Sequence, residues 1–227
     1  KVFFAIFISL LIFSSVTILK NSIESQINNN SRVLLGGDVE LSTKNEALDI
    51  KLLDELQESF FMTKIIEFTS IIRTNHEESK TTRIKVIDNF YPLIGNVIVD
   101  PVDSLKLLKS KPNTILIDKT TQNNLDLRLG EKITIQNTSL EVIGVIESLP
   151  DIGGFFLFGD QALINESSFK DLKIDNLGSF FVFKYKLLKK FNNQEILNNL
   201  SKNKNIEIKY PDDVSQNLKK AIENFIY

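Results

Sequence analysis

Residues able to carry out chemistry are few and poorly spaced for it. Cysteine is absent from the 227 residues and histidine occurs once, at His76. Disulfides, thiolate metal sites and cysteine nucleophiles are thereby excluded, as is a two-histidine zinc site, and a histidine-based triad has little material. Carboxylates gather at Asp54, Glu55 and Glu58, at Glu77 and Glu78, and at Asp212 and Asp213. A catalytic pair needs two carboxyls converging across a cleft in different environments. These lie instead on the polar face of a helix, in a turn beside Arg73 and Lys80, and after Pro211, so they read as solvated surface. His76 shares that polar turn and reads as exposed. The glycine pairs Gly36-Gly37 and Gly153-Gly154 lack both the lysine and Ser/Thr of a phosphate-binding loop and the spacing of a dinucleotide fingerprint, which leaves them as turn glycines. No cofactor, metal or catalytic residue is expected, and the chain is not expected to be an enzyme.

Composition narrows the class further. A net charge of -2 gives no basic surface with which to displace counterions from phosphate, so nucleic acid is not an expected partner. With 42% hydrophobic and 25% charged residues the chain can build one large or two small cores. Val2 to Leu19 (VFFAIFISLLIFSSVTIL) carries no charge and is bracketed by Lys1 and Lys20. As a helix this stretch covers roughly 27 Å, close to the hydrocarbon thickness of a bilayer. A cleaved signal peptide would have a shorter apolar core followed by small residues, whereas this run passes directly into Lys20-Asn21-Ser22-Ile23. An uncleaved membrane anchor is expected, continuing through the asparagine-rich segment after Asn21 as a stalk. The chain starts with lysine, and Leu218, Ala221, Ile222, Phe225 and Ile226 keep a helical rhythm up to its last residues, so it reads as a piece of a longer protein.

The elements that follow predict an α+β fold. Val39 and Leu41 alternate with Asp38, Glu40 and Ser42 as in a half-buried strand; Leu52, Leu53, Leu56, Phe60 and Phe61 share a helix face; Ile65 to Arg73 is a β-branched run. Ser179 to Leu187, Gln194 to Leu200 and Asn205 to Tyr210 repeat the order strand, helix, strand. Two such units suggest a split β-α-β sheet. Between them lie short strands at Thr82 to Ile87, Asn96 to Asp100 and Thr114 to Asp118, helices at Val102 to Leu108 and Thr120 to Leu127, and a hairpin turning at Asn137-Thr138. The expected division is a transmembrane helix and stalk over residues 1–31, a split β-α-β subdomain over 32–88 and 177–212, an inserted β-rich subdomain over 89–176, and the start of a helix returning to the membrane over 213–227.

Pro150 to Asp160 (PDIGGFFLFGD) places four large apolar side chains in a row between glycines. An extended segment cannot turn all four toward one core. Phe155, Phe156 and Phe158 are therefore the candidate contact residues, for the neighbouring subdomain, for lipid or hydrophobic cargo, or for another subunit.

Four stretches resemble a known family: Leu34-Leu35-Gly36-Gly37-Asp38 leading into a strand; Val86-Ile87-Asp88 followed by Tyr91-Pro92-Leu93-Ile94-Gly95; Leu127-Arg128-Leu129-Gly130-Glu131 with the hairpin ending Val142-Ile143-Gly144-Val145; and Leu149-Pro150-Asp151 with Gly178-Ser179 further on. In order and spacing they resemble the first membrane helix and periplasmic domain of MacB/FtsX-like ABC transporter permeases, particularly the YbbP-like branch. Gly159-Asp160-Gln161 departs from that pattern, which has a proline and a basic residue after the phenylalanine-rich turn. The resemblance implies a permease subunit in the bacterial inner membrane with most of this chain in the periplasm. It also implies a separate cytoplasmic ABC ATPase subunit as energy source, membrane lipid and a second permease copy as further partners, and lipid, lipoprotein or other hydrophobic cargo. The alternative is a membrane-anchored extracytoplasmic sensor or ligand-binding protein.

Overall fold

A computed structural model describes residues 2–151, 160–174, 180–190 and 194–226. Its first element is the long helix α1 (Val2–Asn29). Among the described residues no helix is long and apolar enough to cross a membrane. The segment expected as anchor and stalk is one continuous helix, Val2–Asn29. A short helix α2 (Ser31–Leu35) follows directly, linked through Asn30: the Leu34 N–H donates to the Asn30 carbonyl and the Asn30 N–H to the Gln26 carbonyl.

Gly36 ends α2 at φ +80°, a left-handed conformation that glycine reaches without Cβ strain. The Gly36 N–H bonds back to Arg32 and Val33, and the Gly37 N–H to Arg32. Gly37 is needed for a different reason: a Cβ there would stand 2.7 Å from the Leu187 carbonyl oxygen. The pair lets the chain turn sharply and lie directly against the sheet.

The sheet contains β1 (Val39–Lys44), β2 (Phe60–Thr74), β3 (Ser79–Ile87), β4 (Ile98–Asp100), β5 (Thr114–Asp118), β6 (Lys132–Ile135), β7 (Thr138–Ser148), β8 (Gln161–Asn165), β9 (Val182–Lys189) and β10 (Glu207–Lys209). The strand order is β10-β1-β9-β2-β3-β8-β5-β7-β4, and β6 joins both β2 and β7. β9 lies antiparallel between β1 and β2, so the late strand does pair with strands from before Asn75. The helices α3 (Ile50–Ser59) and α7 (Gln194–Leu200) complete the two strand-helix-strand units. They cover one face, where Leu56 and Leu197 pack with Val39, Leu41, Tyr185 and Leu187. Phe60 and Phe61 are not helical: they open β2 opposite Lys189 and Leu188.

The 15-residue β2 serves both parts of the fold. Its first half pairs with β9, and its last residues, Ile72 to Thr74, pair with β6. Pairings β2-β3, β3-β8, β8-β5, β5-β7, β7-β6 and β6-β2 then close a ring of strands. The ring is filled, as small barrels are, by inward apolar side chains including Phe68, Ile84, Ile115, Ile133, Leu140, Val142 and Ile164. The helices α4 (Ser104–Ser110), α5 (Lys119–Asn124) and α6 (Glu166–Asp171) pack around it. β8 and α6 were not anticipated as elements. The strands of the expected insert therefore join β2 and β3 in one continuous sheet.

The last helix, α8 (Pro211–Ile226), comes back beside α1 and α2. Val214 and Leu218 pack with Leu35, Leu34 and Ile27 in a small apolar cluster at the base of the domain.

A buried ionic hub beneath the base helix

The groups considered first in the sequence remain apart. Asp54, Glu55, Glu58, His76, Glu77, Glu78, Asp212 and Asp213 are all exposed. Asp213 accepts from the Tyr210 N–H at the start of α8, a structural cap. Among the described residues no group of three His, Asp or Glu side chains is placed to hold a metal ion. Phe155, Phe156 and Phe158 lie outside the described residues, as do Gly153 and Gly154.

The structure instead assembles a polar cluster that the sequence did not announce. Strand residues directly opposite one another share a face. Registers Glu40 to Lys186, Lys186 to Thr63, Lys184 to Ile65 and Glu67 to Lys85 therefore align these groups on the sheet face turned toward α2. Glu40 pairs with Lys186, each side chain about 5% exposed. Glu67 pairs with Lys184 at 2.7 Å. Asp151, just after the Leu149-Pro150 turn, accepts from Lys85 Nζ at 3.0 and 3.1 Å and from the Tyr91 hydroxyl at 2.5 Å. The hub thus sets carboxylates Glu40, Glu67 and Asp151 against ammonium groups Lys85, Lys184 and Lys186, so the charges balance.

Balance is what makes the burial tolerable, because an unpaired charge in this setting would be very costly. Burial alone pushes the Asp151 carboxyl upward, yet Lys85, Lys186 and the Tyr91 hydroxyl outweigh it and hold the group below its ordinary value. Glu40 follows the same logic: burial raises it, and Lys186 and Lys184 bring it below normal. Burial lowers Lys186, but Glu40 and Asp151 more than compensate and the ammonium is held above its usual range. The Tyr91 hydroxyl is pushed well up by burial and by the neighbouring Asp151 charge. Every hub group whose shift is resolved is thereby locked in its physiological protonation state. For Glu40, Asp151, Lys186 and Tyr91 these directions favour holding structure over moving protons.

The hub also ties separate parts of the chain together. Lys186 Nζ donates to the Leu35 carbonyl at 2.6 Å, at the C-terminus of α2. Tyr91 and Asp151 bring the loops after β3 and β7 onto the same point. Sequence reasoning missed the cluster because Glu40 reads as the outward residue of an alternating strand. The available signal was the same-parity lysines of β9, Lys184 and Lys186, matching the acidic residues Glu40 and Glu67 on β1 and β2.

Comparison with known proteins places this architecture. The MacB-like periplasmic core domain family matches residues 2–225. No curated protein matches. Among solved structures, the periplasmic region of MacB from Actinobacillus actinomycetemcomitans is similar at 15% identity and a TM-score of 0.55, over 88% of this chain and 98% of that one. The extracellular domain of the noncanonic ABC-type transporter YknZ from Gram-positive bacteria is similar at 13% identity and a TM-score of 0.49, over 75% of this chain and 99% of that one. The match over nearly its whole length means that the chain belongs to the MacB/FtsX-like permease family, of which it is a MacB-like periplasmic core domain.

Proposed function

We propose that the chain is the first anchor and extracytoplasmic core of a permease subunit, in which ATP hydrolysis by a separate cytoplasmic ABC ATPase moves this domain to act on lipid, lipoprotein or other hydrophobic cargo. One observation carries the reading: α1 and α8, which lead into and out of the domain, pack side by side at its base. A domain held at one end by two adjacent helices follows any tilt or separation of those helices, so motion can pass through it without a pore. Supporting the anchor, Phe3, Phe4, Phe7, Leu11, Ile18 and Leu19 are exposed apolar side chains on α1, a surface that water disfavours and a bilayer accepts. The placement in the bacterial inner membrane, the second permease copy, the lipid contact and the division into a split β-α-β part with an inserted β-rich part belong to the same proposal. Phe155, Phe156 and Phe158 are its cargo- or partner-contact residues on the strength of their sequence.

Topology is the direct test. Asn137 lies exposed in the β6-β7 turn, and the chain contains no cysteine of its own. In intact spheroplasts the Asn137→Cys full-length protein is expected to react with a membrane-impermeant maleimide and to stay in the membrane pellet after alkaline carbonate extraction. Protection from the reagent, or release by carbonate, would overturn the reading.

A further inference from the structure

We propose that Lys186 is the positioning residue that fixes the angle between the base helices and the sheet, by latching the last carbonyl of α2 into the ionic hub. The final carbonyls of a helix have no partner within it, and burying one unsatisfied is costly. Leu35 is buried, and its carbonyl accepts from Lys186 Nζ. A cation at that position also complements the negative end of the helix dipole.

Lys186 is in turn held from the sheet side. Glu40, directly across the ladder on β1, accepts from the same ammonium. Asp151 contributes attraction from the other flank, and its Cβ lies 3.1 Å from where a Cβ on Gly36 would stand. Helix end and sheet therefore converge on one nitrogen, with the loop after β7 close beside it. The outer link between α2 and the sheet is Arg32 to Asp38, with Asp38 also accepting from the Lys189 N–H. Arg32 is 60% exposed there, so solvent and salt screen that pair and the buried Lys186 is left as the stiffer tie.

The latch deepens the permease proposal and rests on it for its use, but its test reads geometry and not transport, so the two fail separately. Spin labels at Ser25→Cys on α1 and Asn137→Cys on β7's leading turn, both exposed, report the angle in the full-length protein by pulsed electron resonance. A narrow distance distribution is expected for the parent. Glu40→Gln keeps an acceptor and leaves the Lys186 bond to Leu35, so the distribution stays narrow. Glu40→Gln with Lys186→Met removes the latch with no charge stranded, and the distribution is expected to broaden at least twofold while far-UV dichroism is unchanged. Glu67→Gln with Lys184→Met neutralises a comparable buried pair while leaving the Lys186 bond to Leu35 in place, and is expected to leave the width alone. An unchanged width after loss of Lys186, or equal broadening in the Lys184 control, would refute the latch. A measurement on the parent protein keeps the claim testable if the Lys186 variant does not fold: the Gly36 and Gly37 amides should exchange with solvent no faster than those of β9. Exchange of these amides at least tenfold faster than β9 would mean that α2 opens independently and that Lys186 holds nothing.

Discussion

Removing the Asp151 carboxylate should reveal how much of the domain's stability depends on the hub being complete. In Asp151→Ala the Lys85 ammonium, 7% exposed, loses both carboxylate oxygens, and the Tyr91 hydroxyl loses its acceptor. Breaking one half of a buried pair typically costs about 3 to 5 kcal/mol, because the remaining charge is stranded. The stranded hydroxyl adds roughly 1 kcal/mol, for a total of about 4 to 6 kcal/mol against a typical domain stability of about 5 to 15 kcal/mol. The companion variant Lys85→Met removes the charge that Asp151 answers and should cost about 3 kcal/mol or more by the same reasoning. The double variant strands neither ion and should recover at least about 2 kcal/mol relative to the sum of the singles. Urea unfolding followed by far-UV dichroism, with the slope checked for constancy, measures each corner of the cycle. Additive losses, or an Asp151→Ala cost below about 1 kcal/mol, would show that the carboxylate is solvated and the hub does not act as a unit.

The remaining expectations concern pH, the base turn and the barrel core. Asp151 and Glu40 titrate below their unfolded values, so their contribution is full above the ordinary carboxylate range near pH 4 and is lost as pH falls through it; Lys186 and Tyr91 titrate above theirs, so their contribution is full below about pH 10 and is lost above it. Urea midpoints should therefore form a plateau from about pH 5 to 9, and a maximum confined to one unit would contradict this. Gly37→Ala forces a Cβ to within 2.7 Å of the Leu187 carbonyl, a backbone atom that cannot rotate away, and should cost about 1 to 3 kcal/mol in the same assay. Phe68 lies 5.6 Å from Phe169 and 5.5 Å from Phe181, ring centre to ring centre, so Phe68→Ala should cost about 3 to 5 kcal/mol; a loss under 1 kcal/mol would mean the barrel is not packed as described.

Elements whose signal is local were legible in the sequence, and those decided by distant partners were not. Thr114 to Asp118 is a short β-branched apolar run, the β6-β7 hairpin carries its own alternation and turn residues, and both appear where expected. Phe60 and Phe61 continue the helical spacing of Leu52, Leu53 and Leu56, yet the chain leaves the helix at Ser59 because β9 offers them a ladder. Gln161 to Asn165 is almost wholly buried and does not alternate, and only its parallel pairing with β3 makes it a strand. The hub was hidden for a related reason. Glu40 alternates with Val39 and Leu41 as a solvent-facing residue would, but β1 is covered on both faces, and only the register with β9 brings Lys186 opposite. Charge on a strand face identifies a surface only when nothing packs over it, and that information resides in α2, a helix of five residues.

On the proposed function, a partner's ATP hydrolysis drives this domain through its base. The most direct measurement is the ATPase rate of the full-length permease, reconstituted in lipid with a partner ABC ATPase subunit, before and after replacing Glu40 and Lys186 by glutamine and methionine. Expected are no hydrolysis by the permease alone, hydrolysis by the complex, and at least a threefold change in that rate when the latch is removed. Hydrolysis by the permease alone that a point change within this chain abolishes, or a complex that hydrolyses no ATP, would contradict that drive; a complex whose rate ignores the latch would count against the latch alone.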